Sequence, residues 1–158
     1  MKKISQQKNN PKNPSKKILI ASDHAGFDLK KFLISELEKM QFLVEDLGCD
    51  SAEKSVDYPD YAQKLCKKIT SKNQLRGILI CGSGIGISIA ANRFKNIRAA
   101  LCNDVKSTKL SRAHNNANVI CLGARLTTKK TALAIVKAFF STDFEGARHE
   151  ARIAKLSK

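Results

Sequence analysis

The chain has 158 residues, of which 42% are hydrophobic, so it is long enough for one domain with a buried core. Every apolar run is far shorter than the roughly 18 residues that a membrane-spanning helix requires. The formal net charge of +15 favours phosphate-bearing partners and leaves nucleic acid open as one of them.

The N-terminal segment differs in composition from the remainder. Residues 1–17 contain six lysines, two prolines and no acid. Such a segment cannot bury enough apolar surface to fold, and it lacks the features of a secretory or mitochondrial signal. We therefore expect a disordered basic tail over residues 1–16 and one domain over residues 17–158.

The five cysteines contain no CxxC pair, which favours a reducing cytoplasm. Beyond the tail, the lysines occur as scattered pairs on predicted helices, as expected for a solvated face. Aromatic residues that could stack on bases are few, so no nucleic-acid partner is expected, and the short apolar runs predict no membrane partner.

Short apolar runs alternate with segments of helical spacing throughout the domain, a pattern typical of a parallel sheet covered by helices. The predicted strands are 18–21, 42–47, 78–81, 97–102 and 119–122. The predicted helices are 29–40, 60–70, 87–94, 105–114, 128–140 and 147–156. This pattern predicts an α/β fold: one doubly wound, five-stranded, Rossmann-like parallel sheet of order 2-1-3-4-5, with helices on both faces.

In such sheets, ligands bind beyond the carboxyl ends of the strands, where the strand order reverses. With the predicted order, that point lies between the first and third strands. The loops there are SDHAG at 22–26 and CGSGIG at 81–86. We therefore expect these two loops to meet at a binding site.

The CGSGIG segment lies between a buried strand and a helix, where glycines allow backbone N–H groups to converge on an anion. It is not a Walker A loop, and its GxGxG spacing differs from the dinucleotide GxGxxG. Asp104 lies at about the distance expected for a ribose-binding acid, so a non-catalytic nucleotide-binding module remains an alternative.

Cys81 directly precedes these N–H groups, a position that favours the thiolate. An isolated cysteine at the end of a strand is more often a core residue. Its neighbours in the expected site favour a functional role instead.

Other candidates have ordinary structural explanations. His24 follows Asp23 in the first loop, and His114 with Asn115 could simply end a helix. Arg148 and Arg152 are spaced i, i+4, so they could hold a phosphate together or form an exposed basic stripe. Arg125 is a further candidate, and no residue set shows metal-ligand spacing.

Five motifs together show a family resemblance: SDHAG at 22–26, DYPDYA at 57–62, CGSGIGISIAANR at 81–93, LSRAHNNANV at 110–119 and GARHEAR at 146–152. From about Lys17 to the terminus, the sequence resembles the ribose-5-phosphate isomerase B family, which also includes galactose-6-phosphate isomerase subunits. The resemblance implies an aldose-ketose isomerase that interconverts ribose 5-phosphate and ribulose 5-phosphate through an enediol, with no cofactor and no metal.

The resemblance also implies roles for residues. Cys81 would take the proton from C2, and His114 would open the sugar ring. The remaining substrate-binding positions that it implies are Asp23, His24, Tyr58, Gly82, Ser83, Gly84, Ile85, Gly86, Asn115, Arg125, Arg148 and Arg152. One branch of the family uses a glutamate in the following helix instead of cysteine, and Ile87 occupies that position here.

The implied partners are a phosphorylated sugar and a second copy of the chain, in a homodimer or a tetramer. The resemblance implies that active sites draw residues from both subunits. Ribose 5-phosphate is favoured over six-carbon sugars such as allose 6-phosphate or galactose 6-phosphate, although pocket depth decides the preference. Nucleic-acid binding through the basic surface is the third alternative.

Overall fold

The computed structural model describes residues 17–156, and the predicted tail over residues 1–16 lies outside them. The strands are β1 (Lys17–Ser22), β2 (Leu43–Asp46), β3 (Arg76–Cys81), β4 (Ala99–Leu101) and β5 (Val119–Gly123). The helices are α1 (Phe27–Lys39), α2 (Tyr58–Cys66), α3 (Ile85–Ala91), α4 (Val105–Asn115), α5 (Lys129–Ser141) and α6 (Glu150–Ala154). A 3₁₀ turn at Ala147–His149 precedes α6.

The five strands form one parallel sheet, so the predicted α/β class is confirmed. The predicted strand order is wrong at one edge, because the order is β2-β1-β3-β5-β4 and not 2-1-3-4-5. β5 is buried at every position, whereas β4 has three half-buried residues. The fully apolar strand therefore takes the inner position, and the short strand forms the edge.

Helices cover both faces of the sheet, as predicted. Ile18, Ile20, Ile78 and Ile80 point towards the face covered by α1 and α5. The alternate residues of the same strands, Cys81 among them, pack towards α2 and α3. Cys81 thus ends a central strand on the α2–α3 side of the sheet.

A partly buried ion pair supports the loop after β2. Lys30, in α1, has no exposed surface, and its Nζ lies 2.5 and 2.7 Å from the two carboxylate oxygens of Asp46. The same ammonium donates to the Cys49 carbonyl at 2.8 Å. Because Cys49 lies in the loop after β2, the Lys30 ammonium ties that loop to α1.

Within residues 17–156, no helix combines the length and hydropathy needed to cross a bilayer.

Candidate active site

The glycine loop after β3 wraps around the sulfur of Cys81. The backbone N–H of Gly84 donates to Cys81 Sγ at 3.1 Å, and the thiol is almost fully buried. Gly84 has a φ of 77°, in the left-handed region that favours glycine, and α3 begins at the next residue. The loop therefore holds a main-chain donor against the sulfur and starts a helix two residues earlier than predicted.

The first loop lies directly beside this one, as the switch-point argument predicted. The N–H of Asp23 donates to the Ile80 carbonyl at 3.1 Å, and Asp23 Oδ1 accepts from the Gly26 N–H at 3.0 Å. A Cβ on Gly26 would lie 2.8 Å from the Ile80 carbonyl oxygen, so only glycine fits there. The corrected strand order leaves this point unchanged, because β1 and β3 remain neighbours.

The loop after β5 supplies the third wall and carries Arg125. Its backbone is fixed by hydrogen bonds from Ala124 N–H to the Cys81 carbonyl at 2.8 Å and from Arg125 N–H to the Gly82 carbonyl at 3.0 Å. The guanidinium lies over Gly82, where an added Cβ would come within 3.0 Å of Nη1. An exposed cation is thus held beside the glycine loop.

Tyr58 and His24 shape the entrance. The Tyr58 ring packs on Gly86, where an added Cβ would lie 2.5 Å from Cζ. His24 Nδ1 accepts the N–H of Val56 at 3.2 Å, which ties the first loop to the segment leading into α2. When neutral, His24 therefore carries its proton on Nε2, the nitrogen left for a ligand.

These groups surround a cavity of about 300 Å³, at the lower end of the range for ligand pockets. Its lining comprises Asp23, Tyr58, Cys81, Gly82, Ser83, Gly86, Arg125 and Leu126. Sequence reasoning missed Leu126, which is one exposed apolar residue in a polar turn and belongs to no periodic pattern. Gly84 and Ile85 belong to the glycine loop but do not line the cavity. His24, in the loop after β1, does not line it either.

The other predicted site residues lie elsewhere in the same chain. α4 starts beyond the carboxyl end of β4 and runs back, so His114 and Asn115 lie where β5 begins. That is the end of the sheet opposite Cys81. Arg148 and Arg152 are exposed residues in the 3₁₀ turn and α6, and neither lines the Cys81 cavity.

His114 belongs to a second cluster of ionisable groups. Its ring stacks on that of His149, with centroids 4.4 Å apart and planes at 13°. Glu145 Oε2 lies 3.8 Å from His114 Nε2 and 3.6 Å from His149 Nε2. Burial lowers the pKa of His149, and the nearby charges of His114 and Arg148 lower it further, while Glu145 opposes them.

These three side chains place donor atoms within 4.8 Å of one another, a proximity that sequence spacing did not reveal. Their geometry does not suit a shared metal ion. With the two rings nearly parallel, an ion bound in the plane of one imidazole would lie far outside the plane of the other.

The remaining buried cysteines differ from Cys81 in their surroundings. Burial raises the pKa of Cys66 to about 12 and raises those of Cys102 and Cys121. These thiols stay protonated at neutral pH and pack as small apolar groups. Only Cys81 among the five lines the cavity.

Comparison with known proteins identifies the family of the chain. Residues 18–156 match the family model described as Ribose/Galactose Isomerase. The chain is 41% identical to the ribose-5-phosphate isomerase B of Escherichia coli, over 90% of this chain and 95% of the relative.

Two solved structures share the fold and much of the sequence. A ribose 5-phosphate isomerase from Thermotoga maritima superimposes with a TM-score of 0.86 at 50% identity, covering 89% of this chain and 97% of that one. The Mycoplasma genitalium ribose-5-phosphate isomerase B, solved with bound ribulose-5-phosphate, gives 0.85 at 44% identity, covering 89% and 93%. The chain belongs to the ribose/galactose isomerase family.

Proposed function

We propose that this enzyme interconverts ribose 5-phosphate and ribulose 5-phosphate, with Cys81 as the base that moves a proton between C2 and C1. The observation that carries the proposal is the Cys81 sulfur, held by the Gly84 N–H at 3.1 Å in a cavity that also contains Asp23, Ser83 and Arg125. A base, oxygen-binding groups and a cation thus share one small site.

Each group has a role in the reaction. The thiolate takes the C2 proton, and electrons move onto the carbonyl oxygen at C1 to give an enediolate. N–H groups of the glycine loop and the Ser83 hydroxyl stabilise that charge, while Asp23 orients the sugar hydroxyls. The hydroxyl proton on O2 then passes to O1, the carbonyl re-forms at C2 and the Cys81 thiol returns its proton to C1, which completes the isomerisation.

The phosphate end of the substrate would lie towards Arg125, with His24 on the side of the first loop. The guanidinium offers a planar set of donors that matches phosphate oxygens. The lining of the cavity contains no second guanidinium. Arg148 and Arg152 therefore act on phosphate only if another copy of the chain supplies them.

The same reasoning supports a homodimer whose site is shared. His114, Asn115, Arg148 and Arg152 lie outside the Cys81 cavity of their own chain. Helix α3 also exposes Ile85 and Ile89, one turn apart and next to the glycine loop. We infer that a second copy docks on this apolar face and supplies its His114 to the open side of the cavity for ring opening.

A nucleotide-binding module fits the described residues less well. The carboxylate of Asp104 accepts the Ser107 N–H at 2.7 Å as the N-cap of α4 and is already engaged. The free thiols of all five cysteines support a reducing compartment such as the cytoplasm, where the pentose phosphate pathway would use this reaction.

The deciding experiment is a coupled isomerase assay with ribose 5-phosphate, allose 6-phosphate and galactose 6-phosphate, on wild type, Cys81→Ala and Cys66→Ala. Activity should be highest with ribose 5-phosphate, vanish in Cys81→Ala and persist in Cys66→Ala, whose thiol is buried outside the cavity. Turnover retained by Cys81→Ala would eliminate the proposed base. Calorimetric binding of NAD or ATP without binding of ribose 5-phosphate would favour the nucleotide alternative.

A further inference from the structure

A second concavity lies at the end of the sheet opposite Cys81. Arg76 begins β3, Arg98 precedes β4 and Asn118 precedes β5, so the concavity sits at the amino ends of three parallel strands. Its volume is about 560 Å³, larger than that of the cavity at Cys81. We call it the cationic pocket and define it by Arg76, Lys95, Arg98, Arg112, Asn116 and Asn118.

Three guanidiniums are partly or fully buried here without a carboxylate partner. Arg112 is 6% exposed, and Arg76 and Arg98 are half-buried. Among residues 17–156, none of the three forms an ion pair, and no residue lining the pocket is acidic. Buried cations normally have a counter-charge, so this arrangement is unusual for a purely structural set.

Helix ends explain part of the arrangement. Arg112 donates to the carbonyls of Thr142 at 3.2 Å and Ala117 at 2.6 Å, and Arg98 Nε donates to the Asn116 carbonyl at 2.9 Å. Arg76 Nη1 donates to the Phe139 carbonyl at 3.2 Å. These acceptors lie at or near the C-terminal ends of α4 and α5, where cations stabilise the helix dipole.

The helix ends do not balance the charge. Asp143 is the one acid that acts on Arg76 and Arg112, and it lies too far away for an ion pair with either. Each of the two helix ends counts as about half a negative charge and Asp143 counts as one, so against four cations the pocket keeps about two positive charges. Burial lowers the pKa of all three arginines, that of Arg112 to about 10, and all three remain charged at neutral pH.

Donors are also available. A guanidinium has five N–H groups. Within the described part of the chain, Arg98 and Arg76 each use one nitrogen for the contacts above, which leaves the rest of each fork free for a ligand. Planar forks that converge on one space match the oxygens of a phosphate group.

We propose that the cationic pocket binds a small, multiply charged oxyanion of the phosphate class. The pocket is concave and about the size of a metabolite site, which favours a small molecule over a nucleic-acid backbone lying on a flat surface. The residual charge of about +2 matches a phosphate dianion or a pyrophosphate group. This site is additional to the proposed isomerase site, and its ligand need not be the sugar substrate.

The test uses isothermal titration calorimetry with inorganic pyrophosphate on the full chain. Because Arg125 can also attract phosphate, all measurements are made in an Arg125→Gln background. Two variants probe the pocket: Arg98→Gln, and Lys95→Glu, which reverses an exposed charge at the rim. Lys130→Glu, at an exposed site in the first turn of α5, is the matched charge-reversal control.

We expect pyrophosphate to bind the background protein and to bind about tenfold more weakly after either pocket substitution, a change of about 1.4 kcal/mol. Lys130→Glu should leave binding unchanged. If circular dichroism shows that Arg98→Gln does not fold, the affinity of Lys95→Glu for pyrophosphate tests the proposal by itself. Absence of binding to the background protein, or an equal loss in Lys130→Glu, would overturn the proposal.

Discussion

The backbone N–H of Gly84 points at the sulfur of Cys81 from three residues further along the chain, at 3.1 Å. This contact exists because Gly84 takes a φ of 77° in a narrow space. An added Cβ would lie 2.8 Å from the Leu122 carbonyl carbon and 2.9 Å from the Gly123 nitrogen. The position of the donor therefore depends on two strands and not on the loop alone.

Gly84→Ala should reduce activity more than the backbone strain of an alanine at positive φ would by itself. The methyl group would meet backbone atoms of β5, which cannot move independently, so the loop must shift and the N–H must leave the sulfur. We expect kcat to fall by about a hundredfold, the lower end of the range seen when one preorganised donor is lost from an active site. Steady-state kinetics with ribose 5-phosphate measure the change.

Gly146→Ala is the control for that variant. Gly146 has a φ of 67°, and its added Cβ would meet only the flexible Glu150 Oε1 at 3.1 Å. Because Gly146 also has a ψ of -136°, a conformation that is nearly restricted to glycine, the stability of the variant should fall by about 1–3 kcal/mol with little change in kcat. Equal losses of kcat in the two variants would mean that the contact with the sulfur has no special role.

Lys30→Met should strongly destabilise the fold, because it leaves the Asp46 carboxylate without its partner and the Cys49 carbonyl without a donor. Removing one member of a buried pair costs about 3–5 kcal/mol, and about 2–3 kcal/mol is expected here since the Asp46 side chain is 42% exposed. Lys39→Met removes an exposed i, i+3 pair with Glu36 and should cost less than about 0.5 kcal/mol. Urea denaturation compares them, and similar midpoints would contradict the argument.

Much of the fold and the meeting of the two loops at Cys81 follow from sequence pattern. Alternating apolar runs and helical spacing predicted five strands and six helices, and the switch-point rule placed Cys81 beside Asp23. The edge order was not predictable in the same way, because the segment 97–102 reads as six strand residues while only Ala99–Leu101 pair. β5 is buried on both faces and β4 is not, and this difference arises only when the sheet is assembled.

The cluster of His114, Glu145 and His149 was less accessible to sequence reasoning. His114, Glu145 and His149 meet only because α4 packs on α5 and the Glu145 N–H bonds to the Ala113 carbonyl at 3.0 Å. Likewise, the arginines of the cationic pocket are separated in sequence and converge through the parallel topology. The spacing of residues along the sequence does not reveal contacts between residues on different helices and strands.

The stacked histidines predict an acid-dependent loss of stability. The pKa of His149 in the folded chain lies below its usual value of 6.5, so below pH 6.5 the unfolded chain binds more protons at this residue. Stability should therefore fall as the pH drops from 6.5 towards the folded pKa. His149→Gln removes this titration, and its melting temperature should fall less than that of wild type between pH 7.5 and 5.5.

The groups that face His149 are His114, Arg148, Arg152 and Glu145, and they remain in the variant. Because His149 and His114 act on each other, the difference between the two proteins reports the titration of His149 together with this coupling. Thermal melts at three pH values in that interval suffice. Curves for wild type and His149→Gln that stay parallel across the interval would show that His149 does not contribute.

A shared active site predicts complementation between two inactive variants. Cys81→Ala lacks the proposed base and His114→Asn lacks the ring-opening group, so each homodimer should be inactive or nearly so. In a mixed dimer, one of the two sites combines the intact Cys81 of one chain with the intact His114 of the other. Random mixing makes about half of the dimers mixed, each with one working site, which gives about a quarter of wild-type activity.

The recovery must come from subunit exchange and not from residual activity. Each variant is therefore unfolded and refolded alone and in an equal mixture, and activity is measured per total chain at a concentration where light scattering shows dimers. If Cys81 and His114 acted within one chain, every mixed dimer would carry one defect in each site and the mixture would stay inactive. Because the two residues lie at opposite ends of the sheet, we expect recovery.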